Sequence, residues 1–134
     1  MANIVDIEGI GPSYVAKLAD ASVKTTEKLL DLAAGKTGRR ILSEKTGINE
    51  ALLLEWVNRA DLFRLKGVGE EYSDLLEAAG VDSPAELAHR NADNLHAALV
   101  ELNDSKKLVH RVPSLSELKK FIDEAKVLPK IVTH

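Results

Sequence analysis

The sequence contains no cysteine, which excludes disulfides, thiolate nucleophiles, iron-sulfur clusters and cysteine-ligated zinc together. No apolar run approaches the roughly 20 residues that a membrane-spanning helix needs, and the opening Met-Ala-Asn-Ile-Val-Asp lacks the basic-then-apolar pattern of an export signal. No membrane partner is expected, and a cytoplasmic location is. Positive charge is not in excess either: 18 Lys and Arg stand against 21 Asp and Glu, for a net charge of −3, so any contact with a polyanion has to be local. Aromatic residues are scarce at 4%, with only four prolines and eight glycines. What is present is an ordinary globular mixture, 45% hydrophobic and 29% charged, in 134 residues rich in Leu, Ala, Glu and Lys. That composition excludes disorder, favours helix, and suits one compact domain or two small ones.

The chain repeats itself. At an offset of 58, Ile7-Glu8-Gly9-Ile10-Gly11 aligns with Leu65-Lys66-Gly67-Val68-Gly69, and Tyr14, Leu18, Ala21, Val23, Thr25 and Leu29 fall on Tyr72, Leu76, Ala79, Val81, Ser83 and Leu87. Trp56, Val57 and Ala60 recur as Phe121, Ile122 and Ala125 at an offset of 65, which places the extra residues of the second copy in the polar stretch 103–113. The predicted units are 1–62 and 63–134.

Each copy reads as helix after helix. Pro12 suits a first helical turn, and Val15, Leu18 and Ala19 form an apolar stripe that ends near Asp20 or Ala21. Thr25 and Ser83 are expected N-caps, Ser83 with a capping box to Glu86; Ser114 and Glu117 repeat that spacing ahead of Leu115, Leu118, Ile122 and Ala125. Residues 50–63 form the counterpart of this last helix, with Leu53, Trp56, Val57 and Ala60 inward. No segment alternates with period two, so the expected class is all-α, as two units in one compact body.

A helix, a Gly-x-Gly turn and a second helix have a specific physical use. Glycine admits positive φ and brings no Cβ, so the turn is tight; Ile10 or Val68 tucks between the helices, and the free N–H groups of the next helix point outward as a phosphate site that needs no lysine. The segments 7–16 and 65–72 resemble the helix-hairpin-helix superfamily, of the SAM-like type. With a degenerate second hairpin at Thr46-Gly47-Ile48-Asn49, each copy is also similar to the N-terminal domain of strand-exchange recombinases. Over nearly its whole length, including residues 56–62 and 86–91, the chain resembles bacterial proteins grouped as domain of unknown function 4332, a resemblance that brings no activity with it.

The superfamily resemblance implies sequence-independent binding of DNA phosphates by hairpin amides. Carried over by position, it nominates Gly9, Ile10 and Gly11 with Ser13 and Lys17 as helpers, and Lys66, Gly67, Val68 and Gly69 in the second copy. There Glu70, Glu71, Asp74 and Glu77 oppose a phosphate, and Arg64 and Lys66 favour one. Carboxylates beside a helix N-terminus also simply stabilise it.

Gly35-Lys36-Thr37-Gly38 invites comparison with a phosphate-binding loop, but Leu30 occupies the position of the first required glycine and no strand precedes it, so nucleotide binding is rejected; Thr37 is expected to cap the helix carrying Ile41 and Leu42. Lys36, Arg39, Arg40 and Lys45 have two readings, a track for a phosphate backbone or a solvated helix start. Lys106, Lys107, His110 and Arg111 form a second basic group in the inserted stretch. His89, His96, His110 and His134 lack ligand spacing, so neither metal nor cofactor is expected. Tyr14 and Tyr72 are read as packing the turns, Trp56 and Phe121 as core. Some DNA glycosylases that carry the helix-hairpin-helix motif have a catalytic aspartate soon after it, a role that Asp82 invites, but its separation from Gly69 is short and its counterpart is Lys24; it reads as turn, and no enzyme is expected. The expected function is weak DNA binding without base specificity. The alternative is a protein-interaction module with no nucleic-acid partner.

Overall fold

The computed structural model describes residues 3–7 and 9–133, and they form an all-helical protein. A 3-10 turn at Ile4–Asp6 precedes α1 (Pro12–Asp20), α2 (Thr26–Ala33), α3 (Lys36–Thr46), α4 (Glu50–Leu62), α5 (Glu70–Ala78), α6 (Pro84–Ala88), α7 (Ala92–Lys106) and α8 (Leu115–Val127). Among the described residues no strand forms; an isolated antiparallel bridge joins Asn3 to Thr25. The chain divides into two units, Met1–Asp61 with Ile131–His134, and Leu62–Lys130. The last residues therefore belong with the first unit rather than with the span 63–134.

In the first unit, Pro12 opens α1, where its missing N–H costs nothing. The Thr25 hydroxyl accepts from the Lys28 N–H at 3.1 Å and starts α2. Leu18, Val23, Leu29, Leu53 and Val57 lose all solvent exposure, each large side chain contributing about 1.5–3 kcal/mol. Trp56 and Ala60 join them, as their spacing predicts. The expected Thr37 cap is not there. Gly35 is the N-cap and α3 begins at Lys36, placing Thr37 inside the first turn. Gly38 then faces α2 so closely that a Cβ would overlap the Leu32 carbonyl, so this glycine serves helix packing.

The second unit repeats the element order. Ser83 caps α6 by accepting from the Glu86 N–H at 3.2 Å, but the Glu86 carboxylate pairs with Arg90 at 3.3 Å instead of closing the expected box. At α8 the box is complete: Ser114 Oγ accepts from the Glu117 N–H and Glu117 Oε1 from the Ser114 N–H, both at 3.1 Å. Arg111 adds a bidentate contact to Glu117 at 2.7 and 3.3 Å. The guanidinium, with the Ser114 amide, holds the Glu117 carboxyl down at about 2. The extra residues of this copy begin inside a helix: α7 has 15 residues where α3 has 11. The loop beyond is pinned by Asn103, whose amide donates to the Val109 carbonyl and accepts from the Val109 N–H, both at 3.0 Å.

Candidate functional site

Both Gly-x-Gly turns adopt one backbone form. The first glycine of each pair takes the positive φ that excludes other residues, +93° at Gly9 and +89° at Gly67. Ile10 and Val68 are buried, and their N–H groups close the turns onto the Ile7 and Leu65 carbonyls at 3.2 Å. Tyr14 meets Trp56 edge-on at 5.0 Å, and Tyr72 meets Phe121 at 6.2 Å, so the matched aromatics brace the turns from within. The second glycines, Gly11 and Gly69, are helix N-caps in extended conformation, with open space where a Cβ would stand. Neither supplies a side-chain cap, and the first amides of α1 and α5 are left to whatever approaches from outside.

The two turns part company in charge. Gly9, Pro12, Ser13 and Lys17 are exposed, the first turn of α1 carries no acidic residue, and Lys17 Nζ lies 5.8 Å above the Tyr14 ring. In the second unit Glu70 and Glu71 occupy the first turn of α5. Both oxygens of the Glu124 carboxylate also accept from the Lys66 N–H, at 3.1 and 3.2 Å. Arg64 directs its guanidinium to the Pro129 carbonyl, at 3.1 Å from each terminal nitrogen. The second turn thus has acids at the start of the following helix, and its Lys66 amide and Arg64 guanidinium are engaged within their own unit. Among the described residues, α1 and α3 are the helices that lack both a side-chain cap and an acid in the first turn, and both belong to the first unit.

The basic group on α3 is not one surface. Arg39 is 3% exposed; its guanidinium donates to the carbonyls of Ala33 at 3.0 Å, Ala34 at 2.8 Å and Thr133. This corrects its expected place on a phosphate track: it closes the C-terminal end of α2, where carbonyls lack helical partners. Lys36 and Arg40, four residues apart, share an exposed face. Lys45, nine residues beyond Lys36, falls on the opposite side of α3 and borders an apolar cavity of about 120 Å³ with Ala21, Leu32, Gly38, Ile41 and Leu42.

With that geometry in place, the comparison with known families is decisive on one point. Residues 8–128 match the model of the family described as Domain of unknown function (DUF4332). The chain belongs to this family. No curated protein and no solved structure matches it. Among the described residues of this DUF4332 chain, no helix is long and apolar enough to cross a membrane.

Glu124 and the segment 131–133 are the site features that sequence reasoning missed. A signal for the first does exist. The two offsets set Lys66 opposite Glu8 and Glu124 opposite Arg59, so both charges reverse together between the copies. Glu8 itself, like His134, lies outside the described residues. No comparable pattern announces the segment 131–133.

Proposed function

We propose that the first unit is a weak, sequence-independent binding site for the phosphate backbone of nucleic acid, acting as a helix-hairpin-helix does through the amides at the start of α1. The reading rests on one observation: α1 and α3 present first turns with neither cap nor carboxylate, whereas the first turn of α5 carries Glu70 and Glu71. Such a helix end carries about half a positive charge and favours an anion. Ser13, Lys17, Lys36 and Arg40, all exposed, are the side chains that assist. Gly67, Val68 and Gly69 keep a structural role.

The test is fluorescence anisotropy with unrelated labelled duplexes and single strands over a salt series. Neutralising two phosphates gives an affinity that falls about tenfold between 50 and 200 mM salt, independent of sequence. Absence of binding at 50 mM salt overturns the reading.

One observation favours a second reading, a protein-interaction module. Leu32 and Ile41, 39% and 44% exposed, border the α2–α3 cavity and offer a small apolar contact. Exchange of Lys36 and Arg40 for glutamate separates the two: lost DNA retention supports the first reading, and unchanged retention with a protein partner lost on Ile41→Asp supports the second.

A further inference from the structure

The stretch 103–113 holds the extra residues of the second copy, and insertions of this kind are where repeat proteins build binding loops. Here they build a groove. Glu71 in the first turn of α5 faces the end of α7 and the loop beyond it across a cleft of about 480 Å³. That volume falls inside the range of roughly 300–1,000 Å³ occupied by sites for small molecules. The far wall is held rigid. The Asn103 side chain spans it with two bonds to the Val109 main chain, both at 3.0 Å. Lys107, at the end of α7, stands in the left-handed region at φ +50°, where α3 ends on Gly47 at φ +74°. A lysine is kept at a position that glycine fills without strain, and it lines the groove.

The charges in the groove are of both signs and do not answer one another. Glu71 and Asp104 bring carboxylates, Lys107 an ammonium and His110 an imidazole, all exposed. Among the described residues, none of these four side chains makes an ion pair or a hydrogen bond, whereas Arg111, the next residue along, pairs with Glu117 at 2.7 Å. Nor do they gather into a cluster that could hold a metal ion. Leu108, 39% exposed, adds an apolar wall. We propose that this groove binds a short peptide with both ends free. The carboxylates of Glu71 and Asp104 take its ammonium, Lys107 and His110 take its carboxylate, and an apolar side chain lies on Leu108. A zwitterion satisfies both sets of charges at once through charge-assisted hydrogen bonds, which an ion of either sign alone cannot do. The site lies wholly in the second unit and does not rest on the nucleic-acid reading.

The experiment titrates the full chain with leucyl-leucine and follows its amide signals by NMR. Saturable shifts confined to Glu71 and residues 103–110 are expected. N-acetyl-leucyl-leucine, which lacks the ammonium, and leucyl-leucine amide, which lacks the carboxylate, are each expected to bind about tenfold more weakly or worse. Lys107→Gly removes the ammonium and relieves the backbone, so that chain is expected to melt no lower than the parent and to lose about tenfold in affinity for leucyl-leucine. Glu71→Gln with Asp104→Asn is expected to weaken leucyl-leucine and leave the acetylated peptide unaffected. The proposal is overturned if no signal in the groove moves at about 10 mM leucyl-leucine, well above a millimolar dissociation constant. It is equally overturned if either blocked peptide binds as well as the free one, the amide then marking a site for cations alone, or if the Lys107→Gly chain binds as the parent does.

Discussion

Ser13→Glu separates stability from binding, because the two effects have opposite signs. Ser13 aligns with Glu71, so the substitution gives α1 the first-turn acid that α5 already has. A carboxylate there interacts favourably with the helix N-terminus by about 0.3–1 kcal/mol, which raises the melting temperature by about 1–4 °C in a chain of this size. The same carboxylate faces an incoming phosphate. At a separation of 4 Å the repulsion is about 1 kcal/mol in the dielectric of water and about 4 kcal/mol at an effective dielectric of 20, a loss of roughly fivefold to nearly a thousandfold in affinity. Thermal melting and duplex anisotropy at 50 mM salt measure both numbers on the same sample. Ser13→Ala, which removes only the hydroxyl, is the control and is expected to change binding by about twofold or less. A Ser13→Glu chain that melts higher and binds the duplex as the parent does would refute the assignment of the site to the start of α1.

Four further substitutions test the structural argument. Gly9→Ala and Gly67→Ala both force an L-residue to a φ near +90°, at a cost of about 1–2 kcal/mol. The loss should be larger at Gly67, where the new Cβ comes within 3.2 Å of Phe121, than at Gly9, where its neighbour is Trp56 Nε1 at 3.8 Å; urea midpoints compare them. Gly38→Ala should destabilise by about 1–3 kcal/mol through overpacking against the Leu32 carbonyl, although alanine is by far the better helix former. The Glu117 carboxyl is held at about 2 in the folded chain against an ordinary 4.5, so its contribution is fully present above pH 4.5 and is lost as the pH falls towards 2. Glu117→Gln should flatten that part of the stability–pH curve and leave the curve above pH 5 unchanged in shape.

The parts of the fold that could be read from the sequence are those fixed by local pattern or by duplication. Thr25, Ser83 and Ser114 cap helices because each hydroxyl has its partner amide three residues on. Ile10 and Val68, like Trp56 and Phe121, are buried at positions the repeat had already paired. What escaped depends on groups distant in sequence. Arg39 shares a helical face with Leu42 and Thr46, and that placement of a cation on an apolar stripe is a sign of burial that charge counting overrides. Its role became clear only with Thr133, 94 residues away. Thr37 offered the side chain of a cap, but α3 starts earlier, with Gly38 set against α2. The hydrogen bond from the Lys66 N–H to Glu124 likewise spans 58 residues.

The geometry also limits how strong the proposed binding is. A helix N-terminus contributes at most about 2 kcal/mol to a partly buried anion and less to an exposed one. Two such ends, those of α1 and α3, together supply at most the roughly 4 kcal/mol that corresponds to a millimolar dissociation constant. Exposed lysines and an exposed arginine add modest, salt-screened increments. With Glu70 and Glu71 opposing a phosphate at α5, one copy of this chain is a contact too weak to hold nucleic acid alone. Binding of this kind becomes useful when several such sites act on one strand or when the chain is tethered to a second anchor, since a linked site works at millimolar effective concentration. The consequence can be measured: linkage strengthens binding by the ratio of effective concentration to dissociation constant, so with both near millimolar a covalently linked pair of chains should hold a long duplex at most about tenfold more tightly than one chain does, and a pair carrying Ser13→Glu should gain less than the parent pair does.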